Sequence, residues 1–295
     1  MSYDLYFYKR KEHQLSEGEI GDYLSHNVTP ANKAGNQWFY ENEDTEVYFS
    51  FDHNQPEDDP ESIELFEKFS DFDNTHFTFN LNFLRPVFFG KEAFTIVEKL
   101  INDLDLYVLD PQSKTNPDKP SKLLGVEMFA TWSSTNLAQS KVHYNEYNLI
   151  YFPFDKSNDI WNYNYHRKEL QTLLGENYFV PKIFFAKIKG TERIITLTSW
   201  TQHIPIVLPP ADYVLIVKEY KKVFRTIKED GLVSYDSLLK NCGKFFDTFD
   251  FKDCKIINPS RALQVRDVFN GLKFEYKTQD FCERISIDKL VNDKP

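Results

Sequence analysis

Alternation of apolar and polar residues predicts the strands of the first hundred residues. Between residues 76 and 83, apolar side chains occupy every second position and polar side chains lie between them. This two-residue period is that of a strand with one buried face. Residues 46–52 repeat it, and together with residues 38–40 they predict a hairpin. The aromatic content of residues 3–8 predicts a further strand, and residues 106–109 predict another.

Helical patterns separate these strands. Ser16 is a suitable N-cap because its hydroxyl accepts a hydrogen bond from the first turn, and Glu17 and Glu19 follow where the helix dipole favours acids. Residues 91–103 carry apolar side chains at helical spacing. The resulting order, β-α-β-β-β-α-β, predicts a ferredoxin-like α+β sandwich with an extra strand.

The pattern of the second half also predicts an α+β unit. A helix over residues 160–174 ends before Gly175, and four strand-like segments with short turns follow. We expect these four segments to form an antiparallel meander, with further helices beginning at Ser234 and after Asn258. The four segments are residues 179–188, 193–201, 204–208 and 213–220.

The polar stretch over residues 111–122 contains three prolines and no large apolar residue. Such composition is typical of a linker, although a long surface loop within one domain would have the same composition. We therefore predict an acidic α+β domain over residues 1–110, a linker over residues 111–122 and a second α+β domain over residues 123–295.

Composition excludes several classes of protein. Hydrophobic residues make up 41% and charged residues 27%, so the 295-residue chain can build a core. No apolar run approaches the roughly 18 residues that a membrane helix needs. The three cysteines form no C-x-x-C pair, which disfavours a disulfide scaffold or a zinc knuckle. These features predict a cytoplasmic protein with no membrane partner.

Charge is divided unevenly along the chain. Residues 1–160 carry 28 acidic and 13 basic residues, whereas residues 161–295 carry 17 acidic and 22 basic residues. This acidic half disfavours nucleic-acid binding and suits a partner with a basic surface. A solvated acidic face that serves solubility is the alternative. The acids predicted to bind the partner are Glu57, Asp58, Asp59 and Glu61.

Tyrosine and asparagine alternate between residues 144 and 167, in a composition that is typical of recognition surfaces. Trp161, Tyr163 and Tyr165 are the predicted aromatic anchors of this surface. The alternative is that these rings pack inward.

Motifs of known catalytic chemistry are missing from the sequence. It contains no phosphate-binding loop, no G-x-S-x-G nucleophile elbow and no H-E-x-x-H zinc motif, and its seven histidines lack the spacing of a metal site. We therefore predict no catalytic residues, no metal and no cofactor. An enzyme of unrecognised type, with a site between the two halves, is the alternative.

Three parts of the chain, residues 1–11, residues 79–112 and residues 179–190 with 205–220, resemble bacterial proteins encoded beside secreted toxins. Those proteins are interpreted as immunity proteins of polymorphic-toxin or contact-dependent secretion systems. The resemblance implies a cytoplasmic protein that binds a cognate toxin or effector tightly and blocks it. It carries no catalytic residues, and a non-enzymatic scaffold remains a further possibility.

Overall fold

The chain is an α+β protein in which antiparallel strand pairs predominate, as predicted. The computed structural model describes residues 1–55, 65–113, 117–222 and 225–295. It divides into two units: the first comprises Met1–Phe154 with Asp288–Pro295, and the second comprises Asp155–Ile287.

A five-stranded sheet forms the centre of the first unit. Its order is β2-β3-β4-β1-β5, and every neighbouring pair is antiparallel. One helix follows β1 and another joins β4 to β5, so the predicted ferredoxin-like order is confirmed, with β2 as the extra edge strand. The elements are β1 (Ser2–Arg10), α1 (Glu17–Asn27), β2 (Gln37–Glu41), β3 (Tyr48–His53), β4 (Phe72–Asn82), α2 (Phe88–Asp103) and β5 (Tyr107–Leu109).

Local sequence explains these elements. Ser16 accepts a hydrogen bond from the Glu19 backbone N–H, and the Glu19 carboxylate accepts one from the Ser16 N–H, so a capping box starts α1. The alternating side chains of β3 and β4 direct Phe49, Phe51 and Phe79 into the core, where their rings pack within 6 Å of one another.

A third helix and a short strand pair complete the first unit. The helix is α3 (Gly125–Val142), and it packs against α2. Gly90 of α2 permits this approach, because a Cβ there would lie 2.5 Å from the Trp132 ring of α3. The strand β6 (Ile150–Tyr151) pairs in parallel with β15 (Leu290–Val291), which brings the C-terminal segment back to this unit.

The described residues of the predicted linker, 111–113 and 117–122, belong to the first unit. Asp110 is buried and accepts hydrogen bonds from the Tyr3 hydroxyl and the Gln112 N–H, and Val108 exchanges two backbone hydrogen bonds with Ser121. Helix α3, which the prediction assigned to the second domain, packs on α2. The two compact units divide between residues 154 and 155 and again between residues 287 and 288.

The second unit contains a five-stranded sheet of order β11-β10-β8-β7-β14 and a three-stranded sheet of order β12-β13-β9. Its elements are α4 (Phe154–Leu174), β7 (Phe184–Ile188), β8 (Ile194–Thr201), β9 (Ile206–Leu208), β10 (Tyr213–Lys222), β11 (Arg225–Ser234), α5 (Tyr235–Cys242), β12 (Asp247–Thr248), β13 (Lys255–Ile257), α6 (Pro259–Gly271), α7 (Thr278–Phe281) and β14 (Cys282–Arg284).

The sheet is mostly antiparallel, as predicted, but the expected meander is wrong. Strand β9 leaves for the smaller sheet, where it pairs with β13, and β10 lies parallel to β8. The turn at Gln202 and His203, both with positive φ, lies between β8 and β9. The three-residue β9 is buried on both faces by non-local neighbours, which no local pattern encodes.

Candidate partner-binding site

The three predicted aromatic anchors lie on α4, but the structure does not expose them equally. Tyr165 is 38% exposed and Trp161 is partly exposed, whereas Tyr163 is only 1% exposed. The Tyr163 hydroxyl donates to the Pro181 carbonyl oxygen over 2.9 Å. Tyr163 shares its helical face with buried Ile160 and therefore packs in the core, which corrects its prediction as an exposed aromatic anchor.

Trp161 and Tyr165 are one helical turn apart, and their ring centroids lie 5.4 Å from each other. Tyr165 also contacts the His166 ring at 5.2 Å, and His166 contacts Phe251 at 6.1 Å. Phe251 in turn lies 6.3 Å from Tyr163. We call these five residues the aromatic cluster. It connects the partly exposed rings of α4 to a buried ring of the same helix.

A cavity of about 290 Å³ adjoins this cluster, and we call it the Asp159 cavity. Tyr163 lines it together with apolar side chains, and charged side chains complete the lining. The Lys252 ammonium lies 3.6 Å from the Asp159 carboxylate. The other lining residues are Ile160, Ile183, Pro210 and Asp253.

Hydrogen bonds fix the wall of the cavity. The Asn164 side chain donates to the Ile183 carbonyl oxygen and accepts from the Ile183 N–H, each over 3.0 Å. Arg167 donates to the Val180 carbonyl oxygen over 3.0 Å. The helix is thereby joined to the segment that precedes β7. The Tyr/Asn pattern of the sequence did not distinguish this buried asparagine from exposed ones.

The turn between β12 and β13 supplies the charged side of the cavity. Lys252 and Asp253 both have positive φ, of 48° and 56°, a conformation that glycine and asparagine adopt more easily. The Phe249 N–H donates to the Cys254 carbonyl oxygen over 3.0 Å and closes the turn. Such backbone strain persists only where the surroundings enforce it. Sequence analysis missed this turn, because Lys252, unlike Asp253, is not a residue that commonly adopts positive φ.

A second cavity, of about 270 Å³, lies in the first unit. The Arg85 guanidinium, which lines it, donates to the Tyr48 hydroxyl over 2.7 Å and approaches the Asp288 carboxylate at 3.4 Å. Burial and the hydrogen bond to Asp288 raise the pKa of Tyr48. Asn136 bonds the Arg85 N–H and carbonyl oxygen, beside Leu84 at φ 62°. These contacts hold the loop after β4 in a strained conformation.

The cysteines are buried in the second unit. Burial raises the pKa of the Cys242 thiol to about 11 and that of the Cys254 thiol to about 12, and it also raises the pKa of Cys282. A nucleophilic or metal-binding cysteine needs a lowered pKa and access to its target. These thiols therefore act as apolar packing groups.

The predicted acidic site residues, Glu57, Asp58, Asp59 and Glu61, lie outside the described residues. Within the described ranges, no group of three or more His, Cys, Asp or Glu side chains is placed to hold a metal ion. No helix in the described part of the chain is long and apolar enough to cross a membrane.

Comparison with protein-family models, with curated proteins and with solved structures finds no match to this chain.

Proposed function

We propose that the protein binds a protein partner with a basic surface and blocks its activity, as an immunity protein does with a cognate toxin or effector. The observation that carries this proposal is the partly exposed Trp161–Tyr165 pair, which lies on a long helix beside a cavity with carboxylates at its side. Aromatic residues held in this way bury a large area for little loss of side-chain entropy.

Charge supports the same kind of partner. Residues 41–73 carry 13 acidic residues and one basic residue. Such a negative field accelerates the approach of a basic protein, and the effect weakens as salt screens it. The acids would then act on the association rate, and the aromatic pair would act on the dissociation rate.

The experiment is a growth-rescue assay. The protein is expressed together with the toxin or effector candidate encoded beside its gene, and the complex is purified by a tag on this chain. We expect the wild-type chain to restore growth and to retain the partner. Trp161→Ala should lose about 2 kcal/mol of binding free energy or more if Trp161 is a hot spot. Leu263→Ala, at an exposed position on α6, is the control and should bind normally.

Surface-based kinetics at two salt concentrations separate the two contributions. Reversing the charges of Asp58 and Asp59 should slow association about tenfold at low salt, with little change in dissociation. Trp161→Ala should instead speed dissociation. Wild-type rates for both folded variants would show that the interface lies elsewhere.

A further inference from the structure

We propose that the Asp159 cavity receives an arginine side chain of the protein partner. This inference rests on the proposed function and specifies which group of the partner the second unit recognises. The cavity combines an apolar wall with carboxylates, and an arginine combines an apolar stem with a cationic head.

The apolar wall suits the stem of the side chain. Ile160, Tyr163 and Ile183 are each less than a tenth exposed, so they form a wall of the core rather than a loose surface. A volume of about 290 Å³ exceeds that of any single side chain, which leaves room for the guanidinium and ordered water.

The charged side suits the guanidinium. Asp253 is exposed to solvent, and among the described residues its carboxylate accepts no hydrogen bond and forms no ion pair, so it is available to a cation. The Asp159 carboxylate is paired with the Lys252 ammonium at 3.6 Å, and the two side chains are 68% and 37% exposed. An ion pair so exposed to water adds little stability, so an incoming cation can displace Lys252 at small cost. The Lys252 ammonium therefore marks a position where this cavity accommodates a cation.

The cavity exists before any partner binds. Its wall is held by the hydrogen bonds from Tyr163 to Pro181 and between Asn164 and Ile183, and its charged side is held by the strained turn at Lys252 and Asp253. A site that is already ordered loses less entropy on binding.

Arginine suits this cavity better than lysine. Its guanidinium is planar, is hydrated more weakly than an ammonium and donates in several directions, so it can contact two carboxylates while its face lies on apolar groups. A free amino acid would bring its own carboxylate close to Asp159 and Asp253, which favours an arginine within a polypeptide.

The probe is the blocked tripeptide acetyl-Gly-Arg-Gly-amide, titrated into the full chain with labelled isoleucine methyl groups. Ile160 and Ile183 line the cavity, so their methyl resonances report on its occupation. Acetyl-Gly-citrulline-Gly-amide has nearly the same shape without the charge and serves as the matched ligand. We expect the arginine peptide to shift both methyl resonances at millimolar concentration and the citrulline peptide to leave them in place.

Three variants test the carboxylates and the internal cation. Asp159→Asn and Asp253→Asn should each weaken the arginine peptide about two- to fivefold, and Lys252→Gln should strengthen it by a similar factor because it removes the competing cation. Glu283→Gln also removes one negative charge, but on β14 and outside the cavity lining, so it should leave the affinity for the arginine peptide unchanged.

Unmoved Ile160 and Ile183 methyl resonances, or equal shifts with citrulline, would overturn the inference. So would free arginine that binds tighter than the blocked peptide, because the site would then serve a small molecule. If the arginine peptide fails to bind while the wild-type chain restores growth and Trp161→Ala weakens partner binding, the proposed function stands and only this inference fails.

Discussion

Tyr163→Phe tests whether the hydroxyl of this tyrosine stabilises the core rather than contacting the partner. The substitution keeps the aromatic ring, which is 1% exposed, and removes the hydroxyl that donates to the Pro181 carbonyl oxygen over 2.9 Å. The carbonyl oxygen is then left buried without this donor, and a buried polar group without a partner is destabilising.

The expected loss follows from that geometry. Leaving a buried carbonyl group unsatisfied costs about 1–3 kcal/mol, so Tyr163→Phe should lower the free energy of unfolding by that amount. Tyr163→Ala, which also removes the ring, should cost about 3–5 kcal/mol. Tyr276→Phe is the matched control, because Tyr276 lies in the same unit and is 42% exposed. We expect it to change the free energy by less than about 0.5 kcal/mol.

Urea unfolding of the full chain, followed by circular dichroism, measures these differences. The unfolding midpoint of Tyr163→Phe should fall while the dependence on urea concentration stays the same, because the surface exposed on unfolding is unchanged. Because the ring that lines the Asp159 cavity is kept, the affinity of the folded variant for the protein partner should equal that of the wild type. A variant with wild-type stability and weakened partner binding would refute the reasoning and show that the hydroxyl contacts the partner.

Other variants test the remaining contacts. Asn136→Ala removes the hydrogen-bond partners of the Arg85 N–H and carbonyl oxygen, so it should lower the free energy of unfolding by about 1–3 kcal/mol. An unchanged melting temperature would contradict this prediction. Burial raises the pKa of Tyr8 in the folded chain above its ordinary value of 10.0. The contribution of the neutral Tyr8 side chain to the free energy of unfolding is therefore complete below pH 10, and it is lost as the pH rises through the folded-state pKa. Unfolding free energy measured against pH should therefore fall above pH 10, and less steeply in Tyr8→Phe; parallel curves would exclude the effect. Cys242 and Cys254 should react with an aromatic disulfide reagent at least about tenfold more slowly in the native chain than in urea, and equal rates would disprove their burial.

Sequence composition indicated the helix that carries the candidate site, α4, but not the role of each residue on it. Trp161, Tyr163 and Tyr165 differ in exposure because a 3.6-residue period turns neighbouring side chains to different sides of α4, and only packing shows which side faces the core. The Asp159 cavity also depends on Asp253, which is far along the chain and reaches α4 through the turn between β12 and β13.

Several elements follow from local signals in the sequence. Alternating phenylalanines specify β4, Ser16 with Glu19 specifies the start of α1, and Gly175, with φ of 75°, lies just after the end of α4. Together with their order, these signals were sufficient for the ferredoxin-like arrangement of the first unit. Each depends on residues within a few positions of one another, so a single sequence contains it.

Which distant segments pack together follows from contacts in the folded chain. Gly90 against Trp132 assigns α3 to the first unit, and the pairing of Ile206–Leu208 with Lys255–Ile257 removes β9 from the main sheet. In these contacts, apolar surfaces that are far apart in sequence are removed from water and pack against each other. Many apolar segments have the same local pattern, so the pattern does not say which of them will meet. The domain boundary and the Asp159 cavity follow from that choice among surfaces, because both are made by residues that meet only in the folded chain.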